Sequence, residues 1–255
     1  MNQQKTISEI IHLWRADKKQ YVKKSSFSAY VLLLENHVLP AFGNQYQVEE
    51  AEAQKFVLQK LEQGLSPKTI KDILIVLKMV MKFGAKHSWL IYKPFDIQFP
   101  ITREKQHIEV LSRANQKKVM TYLQEHFTFR NLGIHICLSG GMRIGEICAL
   151  TWDDIDTDTG IISIRKTIQR IYIIEDGERK TELILDSPKT KNSIRDIPMS
   201  KDLIRMLKPI KKIVNNSFFV LTNDAKPTEP ITYRSYYKIL MKELGMPDLK
   251  FHGLR

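Results

Sequence analysis

Arg143 and Glu146 stand three residues apart in SGGMRIGEICALTW, Ser139 to Trp152, directly after a pair of glycines. Glycines let the backbone turn sharply into a helix whose first turn then carries the arginine, and the glutamate one turn on can brace its guanidinium. A guanidinium at a helix start presents a planar fork suited to a phosphate. Read alone, the same pair is also an ordinary surface ion pair. Further on, DSPKTKNSIRDIPM puts Lys189 and Lys191 at or near a hairpin tip and Arg195 on the returning strand. An ammonium on a turn is a flexible point donor able to protonate a leaving oxygen, although turns also collect solvated lysines. The final FHGLR sets His252 and Arg255 on one face of a helical turn, an imidazole able to shuttle protons near neutral pH beside a fixed positive charge.

Other chemistries find less support. In DDIDTDTG, Asp154, Asp156 and Asp158 match the first three positions of a calcium loop, but the glycine, Gly160, arrives one residue late and the twelfth position is Arg165. These acids are expected to cap and turn the chain before a strand. Cys137 and Cys148 belong to no CxxC or His cluster, so neither a zinc site nor a disulfide framework is indicated, and reduced core thiols are expected. GxxxxGK[ST], HExxH and GxSxG do not occur.

Elements that would position these residues can be read from periodicity. Residues 6 to 100 are helical in pattern. Thr6 or Ser8 can cap a first helix carrying Ile7, Ile10, Ile11 and Trp14, and Ser25 to Leu39 forms a second, ended by Pro40 and Gly43. Glu49 to Gln63 forms a third, and Ser66 with Pro67 opens the clearest one, with Ile70, Ile73, Leu74, Leu77, Val80 and Met81 on one face. Prolines and charge in YKPFDIQFPITREKQ mark a linker, placed at 99–108. Helices are expected again at Leu111 to Phe127 and Asn131 to Ser139. From Gly160 the period becomes two: GIISIRKTIQRIYII, a turn at Asp176-Gly177, and two more strands around the lysine tip predict a three-stranded antiparallel sheet. Lys201 to Val214 and Thr232 to Leu244 return to helix.

Charge points to the partner. The 255 residues carry a formal net charge of +12. There are 14 Lys and Arg against 9 Asp and Glu through Pro100, and 26 against 19 beyond it, so both halves are basic and one polyanion could touch both. Duplex DNA is the first candidate. The opening MNQQKTISEIIHLW lacks the apolar core of a secretory signal, and no stretch approaches the ~18 apolar residues that span a bilayer.

The order Arg143 with Glu146, then Lys189, then His252 and Arg255, behind a basic helical region, resembles the tyrosine recombinase family of phage and transposon integrases. GMRIGEICALTWDDID, PKTKNSIRDIP and HGLR carry the resemblance as a set, and it covers nearly the whole chain. It implies a SAM-like bundle of four or five helices over residues 1–98, the core-binding domain. A mixed α+β catalytic domain of the DNA breaking-rejoining fold follows over 109–255. It also implies attack by a tyrosine on a DNA phosphodiester to form a 3′-phosphotyrosyl link, with no metal, cofactor or ATP. Arg143 and Arg255 would clamp the non-bridging oxygens, Lys189 would protonate the leaving 5′ oxygen, His252 would assist proton transfer, and Glu146 would orient Arg143. Lys68, Lys71, Lys191 and Arg195 are expected DNA contacts.

In that family the nucleophilic tyrosine follows HxLR, and all nine tyrosines here precede Arg255. The resemblance therefore implies a catalytic domain incomplete at its C-terminus and a chain inactive by itself, its parent a recombinase that forms tetramers on DNA in the bacterial cytoplasm or nucleoid. The alternative is a non-catalytic DNA-binding or inhibitory fragment.

Overall fold

A computed structural model describes residues 4–100, 110–175, 177–188 and 193–254. They form two units: Met1–Glu104 together with Ile171–Glu182, and Lys105–Arg170 together with Leu183–Arg255. Most of the expected linker lies outside the described residues.

The first unit is built on helices whose starts are chemically marked. In α1 (Ile7–Lys18) the Thr6 hydroxyl accepts from the Glu9 amide, and the Glu9 carboxylate accepts from the Thr6 amide. This reciprocal cap satisfies two donors that a helix start would otherwise leave orphaned. α2 (Lys24–Leu33) does not stop ahead of Pro40 as the sequence predicts. It widens into a π turn over Leu34–Val38 and continues as α3 (Leu39–Phe42) with Pro40 inside. The proline ring would clash with the carbonyl four residues back in a regular helix, and the wider turn accommodates it. α4 (Glu50–Glu62) and α5 (Pro67–Lys86) complete the bundle, with Ser66 capping α5 through the Thr69 amide at 3.1 Å. Ile7, Ile10, Trp14, Leu34, Phe56, Ile73 and Leu77 are among the residues of the core.

After α5 an extended strap, residues 90–99, is held on two sides. Gln47 and Gln54 each exchange two hydrogen bonds with its backbone, at Ile91 and Gln98, and Glu50 accepts from the Asp96 amide. On the α5 side, Lys82 lies over Tyr92, Lys78 over Phe95 and Lys71 over Phe99. Residues Ile171–Glu182 belong to this unit as well: Ser28 donates to the Tyr172 carbonyl at 2.5 Å and Arg15 to that of Ile174 at 2.8 Å.

The second unit is mixed. α6 (Arg113–Glu125) is capped by Ser112, and α7 (Phe129–Gly140) leads through a glycine turn to α8 (Ile144–Ala149). A short 3-10 turn, Trp152–Asp154, precedes the strands. The expected single sheet is in fact two. β1 (Ile155–Asp156), β2 (Ile161–Ile164) and β5 (Arg195–Pro198) form one antiparallel sheet in the order β1-β2-β5, with Ile162 opposite both Ile155 and Ile197. β3 (Thr167–Glu175) and β4 (Glu178–Asp186) form a separate hairpin. The polar run Arg165-Lys166-Thr167 interrupts the alternation of GIISIRKTIQRIYII, but Ile168 resumes the phase of Ile162 and Ile164, so the sequence is easily read as one strand where the chain leaves one sheet for the other. α9 (Lys201–Lys211) and α10 (Pro230–Glu243) follow, and a 3-10 turn covers Phe251–Leu254. Trp152, Tyr233 and Tyr237, all fully buried, lie in this unit's core.

Candidate active site

The site begins where α7 ends. Gly141 takes a left-handed backbone (φ 61°) and its amide bonds the Cys137 carbonyl at 2.8 Å, a C-terminal cap that glycine adopts without strain. The reversal buries Met142 and delivers Arg143 as the N-cap of α8. α8 is pinned against β3: a Cβ on Gly145 would stand 2.6 Å from Thr167 Oγ1 and 2.7 Å from the Ile168 carbonyl oxygen. Only glycine permits this approach.

Glu146 is 3% exposed yet ionised, with four donors on two oxygens. Oε1 accepts from Arg143 NH1 at 2.8 Å and Arg195 NH1 at 3.0 Å. Oε2 accepts from the Arg143 amide at 2.8 Å and Arg195 NH2 at 2.8 Å. Burial pushes the carboxyl upward, but the hydrogen bonds from Arg195 and Arg143 outweigh it and hold the group below its ordinary value. The Arg143 side chain is half exposed, at 48%, and its charge faces outward from a fixed base. Arg195, expected as a DNA contact, lies partly buried on β5 with two guanidinium nitrogens committed to Glu146.

His252 is exposed on the 3-10 turn, whose neighbours Phe251 and Leu254 are buried. Phe251 packs against Tyr237 and Tyr233 of α10, with ring centroids 5.1 and 5.8 Å apart, and α8 packs on the same helix. α10 thus supports both Arg143 and His252. Lys189, Lys191 and Arg255 lie outside the described residues. Lys68 and Lys71 are exposed on α5 in the first unit.

Two groups escaped sequence reasoning. The Arg195 to Glu146 pairing spans 49 residues and has no local signal. Lys166 bonds Thr151 Oγ1 at 3.1 Å and Asp154 at 3.0 Å, again without a nearby cue. The acidic loop behaves as the sequence predicts, since Asp154 accepts from the Thr151 amide and Asp156 from the amides of Asp158 and Thr159. Among the described residues no group of three or more His, Cys, Asp or Glu could hold a metal ion. Both thiols are buried and free, with Cys137 pushed well up by burial and Cys148 up to about 12.

The family model described as phage integrase family matches residues 106–255, and that for the phage integrase N-terminal SAM-like domain matches residues 6–57. The chain belongs to the phage integrase family. A "Tyrosine recombinase XerC-like" protein of Caldanaerobacter subterraneus subsp. tengcongensis is 26% identical, the alignment covering 98% of this chain and 70% of that relative. The ICEBs1 integrase of Bacillus subtilis is 22% identical over 96% of this chain and 68% of its own length. Among solved structures, the Tn1549 transposon integrase in complex with transposon right end DNA superposes with a TM-score of 0.77 at 20% identity, covering 98% of this chain and 84% of that one. A lambda integrase tetramer bound to a Holliday junction gives 0.65 at 12% identity, with 98% and 70% covered. These superpositions establish the integrase fold, a helical SAM-like region followed by a catalytic domain with small antiparallel sheets. No helix among the described residues is long and apolar enough to cross a membrane.

Proposed function

We propose that this chain serves site-specific recombination of a mobile element by gripping duplex DNA and holding the phosphodiester at which a tyrosine attacks. The observation that carries the reading is the half-exposed Arg143 guanidinium braced by a buried, doubly anchored Glu146. In the reaction the tyrosine oxygen bonds to phosphorus, the 5′ oxygen departs with a proton from Lys189, and the 3′-phosphotyrosyl link stores the bond energy until another strand's 5′ hydroxyl reverses it. Arg143 and Arg255 neutralise the charge that grows on the non-bridging oxygens, and His252 assists proton transfer with the nucleophile or holds the phosphate. Because the phosphotyrosine conserves the bond energy, neither ATP nor metal is required. Work on bacterial DNA places the protein in the cytoplasm or nucleoid. Self-association as a tetramer on DNA is supported by the lambda integrase assembly to which the fold is similar.

No tyrosine of these 255 residues is assigned as the nucleophile. Tyr233 donates its hydroxyl to the Arg130 carbonyl and Tyr236 to Asn131, while burial raises Tyr233 well above its ordinary value and Tyr237 to about 12. The buried hydroxyls of Tyr233 and Tyr237 favour a second reading for the chain by itself, DNA binding without turnover, as a binding or inhibitory module, while Tyr21, Tyr46 and Tyr172 are exposed and are covered by the same test. The deciding experiment incubates the chain with a nicked duplex spanning the element's junction and resolves products on native and denaturing gels. The expected result is a native shift with no covalent adduct. An adduct would overturn the exclusion of these tyrosines, and absence of any shift would remove the DNA reading altogether.

A further inference from the structure

We infer that Arg195 is a positioning residue for the phosphate clamp, fixing the Arg143 guanidinium through the carboxylate that both arginines share. The inference rests on the reading of Arg143 as a phosphate ligand. Its basis is the division of labour around Glu146. Arg143 gives that carboxylate one side-chain hydrogen bond, NH1 to Oε1, and one from its backbone amide to Oε2. Those two bonds locate the carboxylate oxygens, but only one of them reaches the guanidinium, which holds its direction loosely if nothing else fixes the carboxylate. Arg195 adds that second hold, because NH1 and NH2 engage Oε1 and Oε2 as a fork and stiffen the carboxylate against rotation. Its own NH1 is anchored to the Ser193 carbonyl at 3.2 Å, and Arg195 pairs with Ile164 in the β2-β5 ladder. Strand β5 thereby dictates where a side chain on α8 points. A lysine at 195 would keep the charge and lose the fork.

Burial adds a second consequence. Deprived of Arg195, Glu146 would keep its desolvation and lose the leading interaction that holds it ionised, so it would take up a proton at a higher pH than in the intact cluster. A protonated Glu146 no longer braces Arg143 as an anion. Other charged or titratable groups near Glu146 among the described residues are these. The Cys137 thiol stays neutral, and the crevice beside Glu146 is lined by Asp154, Arg165 and Lys166, of which Arg165 is paired with Asp196 and Lys166 with Asp154.

The test is a double-mutant cycle read by fluorescence anisotropy of a labelled duplex about 30 base pairs long, so that one phosphate contact is visible against the total. The chains are wild type, Arg195→Gln, Arg143→Ala and the double variant, at pH 7.5 and again near pH 5.5. Arg195→Gln is expected to weaken binding about fivefold in the wild-type background and less than twofold when Arg143 is already alanine, with a larger loss at the lower pH. Arg195→Lys, which retains the positive charge, gives an intermediate loss and carries the same cycle if the glutamine variant fails to fold. An equal loss in both backgrounds would make Arg195 a direct DNA contact or a general structural residue and overturn the inference, as would no loss at all. If Arg143→Ala itself binds like wild type, the phosphate-ligand reading falls and takes the positioning role with it. A weakened Arg143→Ala with an additive cycle removes only the positioning role.

Discussion

Gln54 and Gln98 bond each other across the gap between a helix and an extended strap: Gln54 Nε2 donates to the Gln98 carbonyl at 3.1 Å, and the Gln98 amide donates to Gln54 Oε1 at 2.9 Å. A side-chain amide stands where a neighbouring strand's peptide would be, and Gln47 repeats the arrangement at Ile91. Gln54→Ala should strip both partners from Gln98 while leaving the α4 core intact. Each exposed bond contributes on the order of 1 kcal/mol, so exchange of the Gln98 amide should quicken about tenfold, read by hydrogen exchange and mass spectrometry. Unchanged protection at Gln98 would show that the lysine and aromatic contacts alone hold the strap.

His135 is 2% exposed and neither ring nitrogen has a hydrogen-bond partner among the described residues. Burial lowers its imidazole below the ordinary 6.5, so the fold prefers the neutral ring. Between the folded value and 6.5 the unfolded chain binds more protons than the native one, and stability must rise with pH across that window. It is complete above 6.5 and declines as the solution is acidified below it. The melting temperature should therefore fall on acidification from pH 7 to 5.5, and His135→Leu should flatten that slope, with a remainder from His37, which burial also lowers. An identical slope in His135→Leu would place the titration elsewhere.

Gly145 offers a way to disturb Arg143 without touching it. An alanine Cβ would meet the Ile168 carbonyl, a backbone atom that cannot swing aside, at 2.7 Å. Gly145→Ala is expected to cost about 1–3 kcal/mol by overpacking and to weaken duplex binding by displacing the start of α8. Chemical denaturation and anisotropy on the same protein check both, and full affinity in a destabilised variant would separate helix position from the clamp.

Lys68 and Lys71 are proposed phosphate contacts on exposed turns of α5. If each neutralises one phosphate, each alanine variant should reduce the slope of log affinity against log salt by about 1, with little dependence on DNA sequence. Slopes equal to wild type would remove that pair from the interface.

What the sequence made legible divides along a physical line. Local signals carried the helices: Ser66 and Pro67 announce α5, and the apolar spacing from Ile70 to Met81 identifies its buried face. Pro40 misled because a π turn, invisible to a 3.6-residue pattern, relieves the clash that usually ends a helix. The two sheets merge in the sequence pattern because Ile168 resumes the phase of Ile162 and Ile164 beyond the polar pair Arg165 and Lys166 that marks the break. Arg143 and Glu146 could be paired from spacing, whereas Arg195, 49 residues beyond the glutamate it grips, was readable only as another cation on a strand.

Counting charge gives the Arg143–Glu146–Arg195 cluster a further meaning. Two guanidinium groups share one carboxylate, so the ensemble presents a single net positive charge, the match for one diester in its ground state. That same net positive charge attracts a more highly charged transition state more strongly than the ground state, and the cations proposed at Arg255 and Lys189 would add to the difference.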